Sequence, residues 1–488
     1  MRIFEKCIIK YACVGFCFLF LLDFQLIAVC AEPDSYLLRS KRKAGTVDEV
    51  NRTLDVRGML IYEVDAVTGQ SVASAAGGDG IPPLGPGGVP RKLQKQTRKI
   101  PISVTGNQTY EEMLVASGNL LQGESAKPTL GAWYFLRDDA KFVVEAAEQT
   151  QKLDERARLF GVNIHDAEIR YFRPESLLTR EERDLLDQQG ISLLLDFLLP
   201  NREVKIGESW AQSADVMGLL LQLDMVFQLE VKTTLKEVKG KIAVLETEGW
   251  IEGSSDGTAS KMNLKCVTYF HLVSGRIVWN GITLKEKRSA GHVAPEMDVS
   301  ARVQYTIKPL KKSENLTEEV LSKIVFDDAL SEKLMFLEPG GLWRCEMDAR
   351  WYPTIFHERQ ATFRMVEKGD LIAQCTVLTS PKTLSPVQLT LDGFFEEIKK
   401  TFRGEIKEVR DSSKLETEDG TIIYRVEFTG EVDGLSISWI YYYIYKLEIA
   451  EKKESARQVT VAFTVEENLL GTFGTSDQQM IQTFQWEP

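Results

Sequence analysis

Two stretches alternate apolar and polar residues with a period of two, and that period constrains the fold more than any other feature of the chain. In "FQLEVKTTL" (227–235), Phe227, Leu229, Val231 and Leu235 oppose Gln228, Glu230 and Lys232. In "MDVSARVQYTI" (297–307), Met297, Val299, Val303, Tyr305 and Ile307 oppose Asp298, Arg302 and Gln304. Successive side chains of a strand point to opposite faces, so this pattern predicts strands with one buried and one wet face, as in an antiparallel sheet. Turn signals at Lys239-Gly240, Ser255-Asp256-Gly257 and Ser274-Gly275 divide the region after the apolar run "VMGLLLQL" into five such strands. They predict a meander, curved or closed like a barrel far enough to bury its inner face. Cys266 keeps register with Met262, Leu264 and Phe270 and is expected on that inner face as a small buried hydrophobe.

Helical signals are short and local. "SLLTREERDLLDQQG" sets Thr179 three residues before Glu182, a capping box, and Gly190 is a stop. "ISLLLDFLLP" reads as a short apolar helix or an extended segment that Pro200 ends. Between Trp133 and Ile164 the pattern fits either strands or a helix. The stretch "ASAAGGDGIPPLGPGGVPRK" (73–92) is too rich in Gly and Pro for a helix or central strand and reads as a long loop. The charged run "KPLKKSENLTEEVLSKI" (308–324) is a partly helical connector. The expected layout is a signal sequence (1–31), a loose tail (32–48), a β-rich domain with short helices (49–312), a linker (313–330) and an α+β domain (331–488).

Arg2, Lys6 and Lys10 precede an apolar stretch from Tyr11 to Leu22, and Val29 and Ala31 supply the small residues of a cleavage site before Glu32. That combination predicts an exported protein, periplasmic or extracellular. Asp23 interrupts the run, a membrane anchor would want about 20 unbroken apolar residues, and no later segment is expected to span a bilayer. Lipidation at Cys30 is the alternative, but Val29 occupies a position that normally carries Gly, Ala or Ser. The full chain carries a net charge of −12 and residues 1–31 carry +1, so the remainder stands at −13. Nucleic acid is an improbable partner for so acidic a chain, because phosphate binding calls for a basic surface. Four of the seven cysteines fall within residues 1–31, leaving Cys266, Cys345 and Cys375. In an oxidising compartment Cys345 and Cys375 could close a loop of about 30 residues, stabilising by roughly 3.5 kcal/mol.

Candidate chemistry is sparse. "GESWA" places Ser209 two residues after Gly207, one residue short of a nucleophile elbow, with Ala211 where a second glycine belongs. The four histidines, His165, His271, His292 and His357, are scattered, and Ser213 is the better cap for the apolar run that follows. Ser209 therefore reads as part of a turn pegged by Trp210, with a serine hydrolase as the remote alternative. No H-E-x-x-H, C-x-x-C, calcium loop or phosphate-binding Gly loop occurs, and no cofactor or metal is expected. Glu396 and Glu397 are adjacent on a helix and point apart, unlike a glycosidase pair. In "SWIYYYIY", Trp439, Tyr441, Tyr443 and Tyr445 share one strand face. Such a stripe can stack on a ligand or can fill a core.

The order of elements in the last part of the chain, "GLWRCEMDARW", "GDLIAQC", the helix "LDGFFEEIKKTF", long strands and the closing "TSDQQMIQTFQW", resembles the PsbP-like α/β/α sandwich. "LLTREERDLLD" and "LLPNREVKIGESW" followed by a meander resemble the layout of uncharacterised secreted bacterial proteins. The resemblance implies a binding or assembly module and transfers no catalytic residue. The expectation is an α+β, β-rich, non-enzymatic binding, scaffold or assembly protein of the cell envelope, with an unidentified protein partner. A carrier of lipid or another apolar ligand inside the curved sheet is the alternative.

Overall fold

The computed structural model describes residues 34–65, 95–119, 127–174, 176–357, 359–381, 383–384, 389–402, 405–432, 434–450 and 453–487. The expected signal sequence with Cys30, and the Gly/Pro-rich stretch 73–92, lie outside them. The first unit opens with β1 (Tyr36–Leu38), β2 (Thr46–Asp65), β3 (Lys95–Ala116), β4 (Thr129–Val144), β5 (Ala147–Gln151), β6 (Leu159–His165) and β7 (Glu168–Phe172). Two short helices follow, α1 (Arg180–Leu186) and a 3-10 helix (Ser192–Leu198), then β8 (Arg202–Val204), β9 (Ser209–Ala211) and α2 (Ala214–Leu221). The meander comprises β10 (Met225–Lys239), β11 (Ile242–Ser255), β12 (Thr258–His271), β13 (Arg276–Arg288) and β14 (Glu296–Leu310).

All strands of this unit except β1 and β8 join one antiparallel sheet in the order β7-β6-β4-β3-β2-β14-β13-β12-β11-β10-β9, with β5 beside β4. The five-strand meander is present, and the range 133–164 is occupied by β4, β5 and β6 with the turn and loop between them. The path ends at β7 on one side and β9 on the other, so the expected barrel-like closure is corrected to an open sheet. Along β14 every second residue from Val299 to Ile307 is buried and those between are exposed. The buried face is covered from within the chain: Leu193, Leu194 and Leu195 of the 3-10 helix and Leu219, Leu220 and Leu221 of α2 pack against Val231, Leu245 and Ile282 of the sheet. Each such side chain contributes about 1.5–3 kcal/mol on burial. Thr179 and Glu182 form the reciprocal capping box of α1, and the Ser213 hydroxyl caps α2 by accepting from the Val216 amide.

Phe227 departs from the alternation. Val226 pairs with Gly253 and Gln228 with the adjacent Glu252, so Phe227 is the extra residue of a β-bulge, and it is 59% exposed. We expect Phe227→Ser to change stability by less than about 0.5 kcal/mol, whereas Leu235→Ala, at a fully buried position of the same strand, should cost about 2–5 kcal/mol in urea denaturation.

The residues expected as a loose tail are not loose from 34 onward. Tyr36 and Leu38 are buried, β1 pairs with β8, and Arg42 and Asp48 enter a buried ionic cluster. Arg42 meets Glu112 at 2.6 Å, Asp48 at 3.4 Å and Asp196 at 3.7 Å, while Arg276 also holds Asp48. Glu112 accepts from Trp133 Nε1 at 3.0 Å and from the Ser192 hydroxyl, which lies 2.9 Å from the Tyr110 hydroxyl. Burial pushes the carboxyls of Asp48 and Asp196 up against the opposing pull of Arg42. This cluster ties the N-terminal strap, strands β2, β3, β4 and β13 and the 3-10 helix together.

The connector also belongs to the first unit. Leu316 and Ile324, flanking α3 (Glu318–Leu321), bury themselves with Ala132, Leu159 and Phe172, and the Asn315 amide donates to Glu111 at 3.1 Å. A further turn, α4 (Asp328–Ser331), leads into the second unit.

That unit contains β15 (Lys333–Leu337), β16 (Trp343–Asp348), β17 (Trp351–His357), β18 (Gln360–Glu367), β19 (Asp370–Thr379), β20 (Thr383–Leu384), α5 (Leu391–Thr401), β21 (Glu408–Glu416), β22 (Thr421–Val432), β23 (Leu435–Ala450) and β24 (Lys453–Glu466). It closes with a 3-10 turn, α6 (Leu470–Phe473), α7 (Ser476–Gln482) and β25 (Gln485–Trp486). The main sheet runs β17-β18-β19-β24-β23-β22-β21 with β20 beside β24, and a separate three-stranded sheet runs β15-β16-β25. The expected α/β/α sandwich is overturned. Of the described residues 60% are strand and 14% helix. Among the described elements one face of the sheet carries α5, capped by Thr390, and the other is covered mainly by the small sheet with the short α6 and α7. Element order misled because helices this short close a core without forming layers.

Candidate binding cleft

Where the units meet, the chain leaves a cleft of about 820 Å³, within the size range of small-molecule sites. Four segments separated in sequence build it: the end of β7 with the loop into α1, the connector, β15 with β16, and the end of α7 with β25. Local interactions hold each wall. Glu182, the N3 residue of the α1 capping box, accepts from the Thr179 amide at 3.0 Å and also pairs with Arg173. Arg173 in turn donates to the Ser176 hydroxyl at 2.7 Å and the Leu177 carbonyl at 2.6 Å, fixing the loop in its turn. The Met335 amide donates to the Leu178 carbonyl at 2.8 Å, and Leu178 and Leu334 form a single parallel bridge, joining the units by backbone.

Charge in the cleft is one-sided. Among the described residues its lining includes Arg170, Arg173, Arg183, Lys323, Lys333 and Arg344 against one acid, Glu346. Acids outside the lining hold several of these cations in place: Arg170 pairs with Glu168 at 2.6 Å and with Asp328 at 3.1 Å, and Arg344 with Glu487 at 3.1 Å. Lys333 reaches Glu346 at 3.5 Å. Among the apolar residues of the lining, Val325, Leu330 and Leu337 are 61%, 44% and 51% exposed.

The docking of the units rests on further contacts. Arg180 donates to the Trp351 carbonyl at 2.8 Å and lies over the Tyr352 ring, 4.3 Å from its centroid. Arg364 donates to the His292 carbonyl at 2.7 Å. The β11–β12 and β18–β19 turns meet backbone to backbone at Gly257 and Gly369, where a Cβ on Gly257 would stand 1.7 Å from the Gly369 Cα.

The residues singled out in sequence lie elsewhere. Ser209 sits on edge strand β9, its hydroxyl 2.8 Å from that of Thr234, and Trp210 donates from Nε1 to the Leu198 carbonyl at 3.1 Å. His165 and His271 end β6 and β12, where they contact Asp166 and Ser274, and His292 lies between β13 and β14. His357 ends β17. Ser209→Ala removes one hydrogen bond and should cost no more than about 1.5 kcal/mol, measured by thermal denaturation. Among the described residues no group of three or more His, Cys, Asp and Glu is placed to hold a metal ion.

Trp439, Tyr443 and Tyr445 are buried beneath α5 and Tyr441 is half-buried. Phe402 meets Trp439 edge-on at 4.8 Å and Tyr424 stacks on Tyr443 at 6.1 Å. Burial and the neighbouring Tyr445 and Tyr424 hydroxyls push the Tyr443 phenol up to about 12. Ile440, Tyr442 and Ile444 pack on the opposite face, so β23 is a central strand covered on both sides. Cys345 and Cys375 are free thiols in that opposite core, where burial raises both, and the expected disulfide between them is not formed. No described helix is long and apolar enough to cross a membrane.

The cleft was missed in sequence because its cations are spread over some 170 residues, Arg170 to Arg344, and each alone reads as a solvated charge.

No protein-family model matches the chain, and no curated protein matches it in sequence. Solved structures with some likeness include OpdK of Pseudomonas aeruginosa, solved with vanillate, at 8% identity and a TM-score of 0.12, covering 85% of this chain and 98% of that one. A BenF-like porin from Pseudomonas fluorescens Pf-5 has 8% identity and a TM-score of 0.13, covering 86% and 98%. The Vibrio cholerae outer membrane protein OmpT has 7% identity and a TM-score of 0.11, covering 86% and 99%. TM-scores of this size establish no common fold and carry no functional argument.

Proposed function

We propose that the chain is an exported, non-catalytic binding protein that holds its ligand in the cleft between its two units. The observation that carries this reading is the cleft itself: about 820 Å³, walled by both units and the connector, with exposed Leu and Val side chains beside a one-signed ring of cations. Exposed apolar groups next to fixed charge are costly in water unless something covers them. The export component rests on the basic, apolar and small-residue order of residues 1–31.

The sheet is a weaker place for a ligand. Its buried face is filled by the 3-10 helix and α2, and the void under the end of α1, beside Arg52 and Tyr110, is about 10 Å³, room for about one water. A hydrolase is weaker still, since the Ser209 hydroxyl is engaged by Thr234 rather than by a histidine.

Native mass spectrometry of the protein purified from its exporting host, without detergent, tests the reading. A bound species present in the unmodified protein and absent from Leu330→Asp is expected. An empty protein, or an occupant retained unchanged by Leu330→Asp, contradicts it. A fluorophosphonate probe that labels Ser209 in the folded protein would also overturn the non-catalytic part.

A further inference from the structure

We infer that the cleft selects an amphipathic anion, a single apolar chain or ring system ending in a carboxylate or sulfate. This rests on the cleft being the binding site.

Two independent features of the lining lead there. The first is sign. The chain as a whole carries 59 Lys and Arg against 71 Asp and Glu, so fewer than half of its charges are basic, yet the described residues of the lining include six basic side chains and one acid. Glu168, Asp328, Glu182 and Glu487 pair with these cations without lining the cleft. A guanidinium has five N–H donors in a rigid fork, so an arginine held by one carboxylate still has donors for a second. Lys323, on the connector, is exposed and makes no ion pair among the described residues.

The second feature is the apolar surface beside those charges. Val325, Leu330 and Leu337 line the same cleft and are exposed, and Leu177, Leu178, Leu334 and Met335 continue the wall inward. Inorganic phosphate or a sugar phosphate would use the cations and leave this wall wet. A neutral lipid would cover the wall and leave Lys323 and the remaining guanidinium donors of the paired arginines without an acceptor, which is costly. A long polyanion such as nucleic acid is disfavoured by the net charge of −12. An amphipathic anion satisfies both halves at once.

Isothermal titration of the full chain lacking only residues 1–31 tests this, using dodecanoate, neutral dodecyl maltoside, dodecyltrimethylammonium and inorganic phosphate, each amphiphile below its micelle concentration. One dodecanoate should bind per chain, at least about tenfold tighter than the neutral and cationic amphiphiles and than phosphate. The double variant Lys323→Glu/Arg344→Gln alters two exposed side chains and should weaken dodecanoate by about tenfold or more while leaving the neutral amphiphile unchanged. Leu330→Asp should weaken both, and circular dichroism checks that each variant is folded. Equal affinity for neutral and anionic amphiphiles, displacement of dodecanoate by phosphate at equal concentration, or dodecanoate binding unmoved in the double variant each overturn the inference. Sedimentation with anionic phospholipid vesicles but not neutral ones, without binding of free dodecanoate, would assign the surface to a membrane and overturn it likewise. If native mass spectrometry finds a cleft occupant and dodecanoate does not bind, the ligand chemistry is wrong and the site stands; if neither binds, both fall.

Discussion

Arg42→Met should destabilise the first unit by about 3–5 kcal/mol, the range for removing one partner of a buried ion cluster. The guanidinium of Arg42 is 8% exposed and touches Glu112 and Asp48, each 1% exposed, as well as Asp196. Burial pulls the Arg42 charge down, but Glu112, Asp196 and Asp48 together more than reverse that and hold it protonated. Met replaces the volume and not the charge, so three carboxylates share the remaining Arg276 and neutral donors. Trp133 and the Ser192 and Ser40 hydroxyls still reach Glu112 and Asp196, which places the effect toward the lower end of the range. Urea denaturation followed by circular dichroism and tryptophan fluorescence measures it. In a double-mutant cycle with Glu112→Gln the losses should be strongly non-additive, since the second change removes a charge the first left unpaired. Arg57→Met removes an exposed arginine that pairs only with its neighbour Asp55 and should change little. Equal small effects at Arg42 and Arg57 would mean that the strap from 34 to 48 is not held by the cluster.

Gly257→Ala should separate the units. Gly257 has φ +70°, where a non-glycine residue costs about 1–2 kcal/mol, and its new Cβ would lie 1.7 Å from Gly369 Cα and 2.5 Å from Gly369 N. Both partners are backbone, so neither can rotate away and one turn must move. Gly240→Ala is the matched control, with φ +60° and nothing within 4 Å of the added Cβ. The two variants share the conformational penalty and differ only in the contact. Gly257→Ala should therefore raise proteolytic cleavage in the 313–330 connector and enlarge the radius of gyration in solution scattering, and Gly240→Ala should do neither. Identical behaviour of the two would show that the turns do not secure the docking of the units.

These tests bear on features that differ in how far they could be read from sequence. The alternation of β14 was legible because a buried face forces the period directly onto the residues. Phe227 obeyed the same period and was misread, because the bulge that turns it outward is set by pairing with Gly253 and Glu252. Arg42 and Asp48 fall in the stretch 32–48 that reads as a loose tail, and only the three-dimensional approach of Glu112, Asp196 and Arg276 makes them interior. The caps at Thr179 and Ser213 were legible because capping is local. The cleft was not, because it joins Arg170, Lys323, Lys333 and Arg344 across both units, and no local pattern encodes that meeting.

Site-specific photo-cross-linking addresses the central claim most directly. A photoreactive side chain at Leu330, in the cleft wall, is compared in intact exporting cells with one at Leu435, which is 50% exposed and outside the cleft lining. The cleft account predicts one adduct of defined mass at position 330, competed by dodecanoate, and none at 435. No adduct at 330, or the same adducts at both positions, would contradict it.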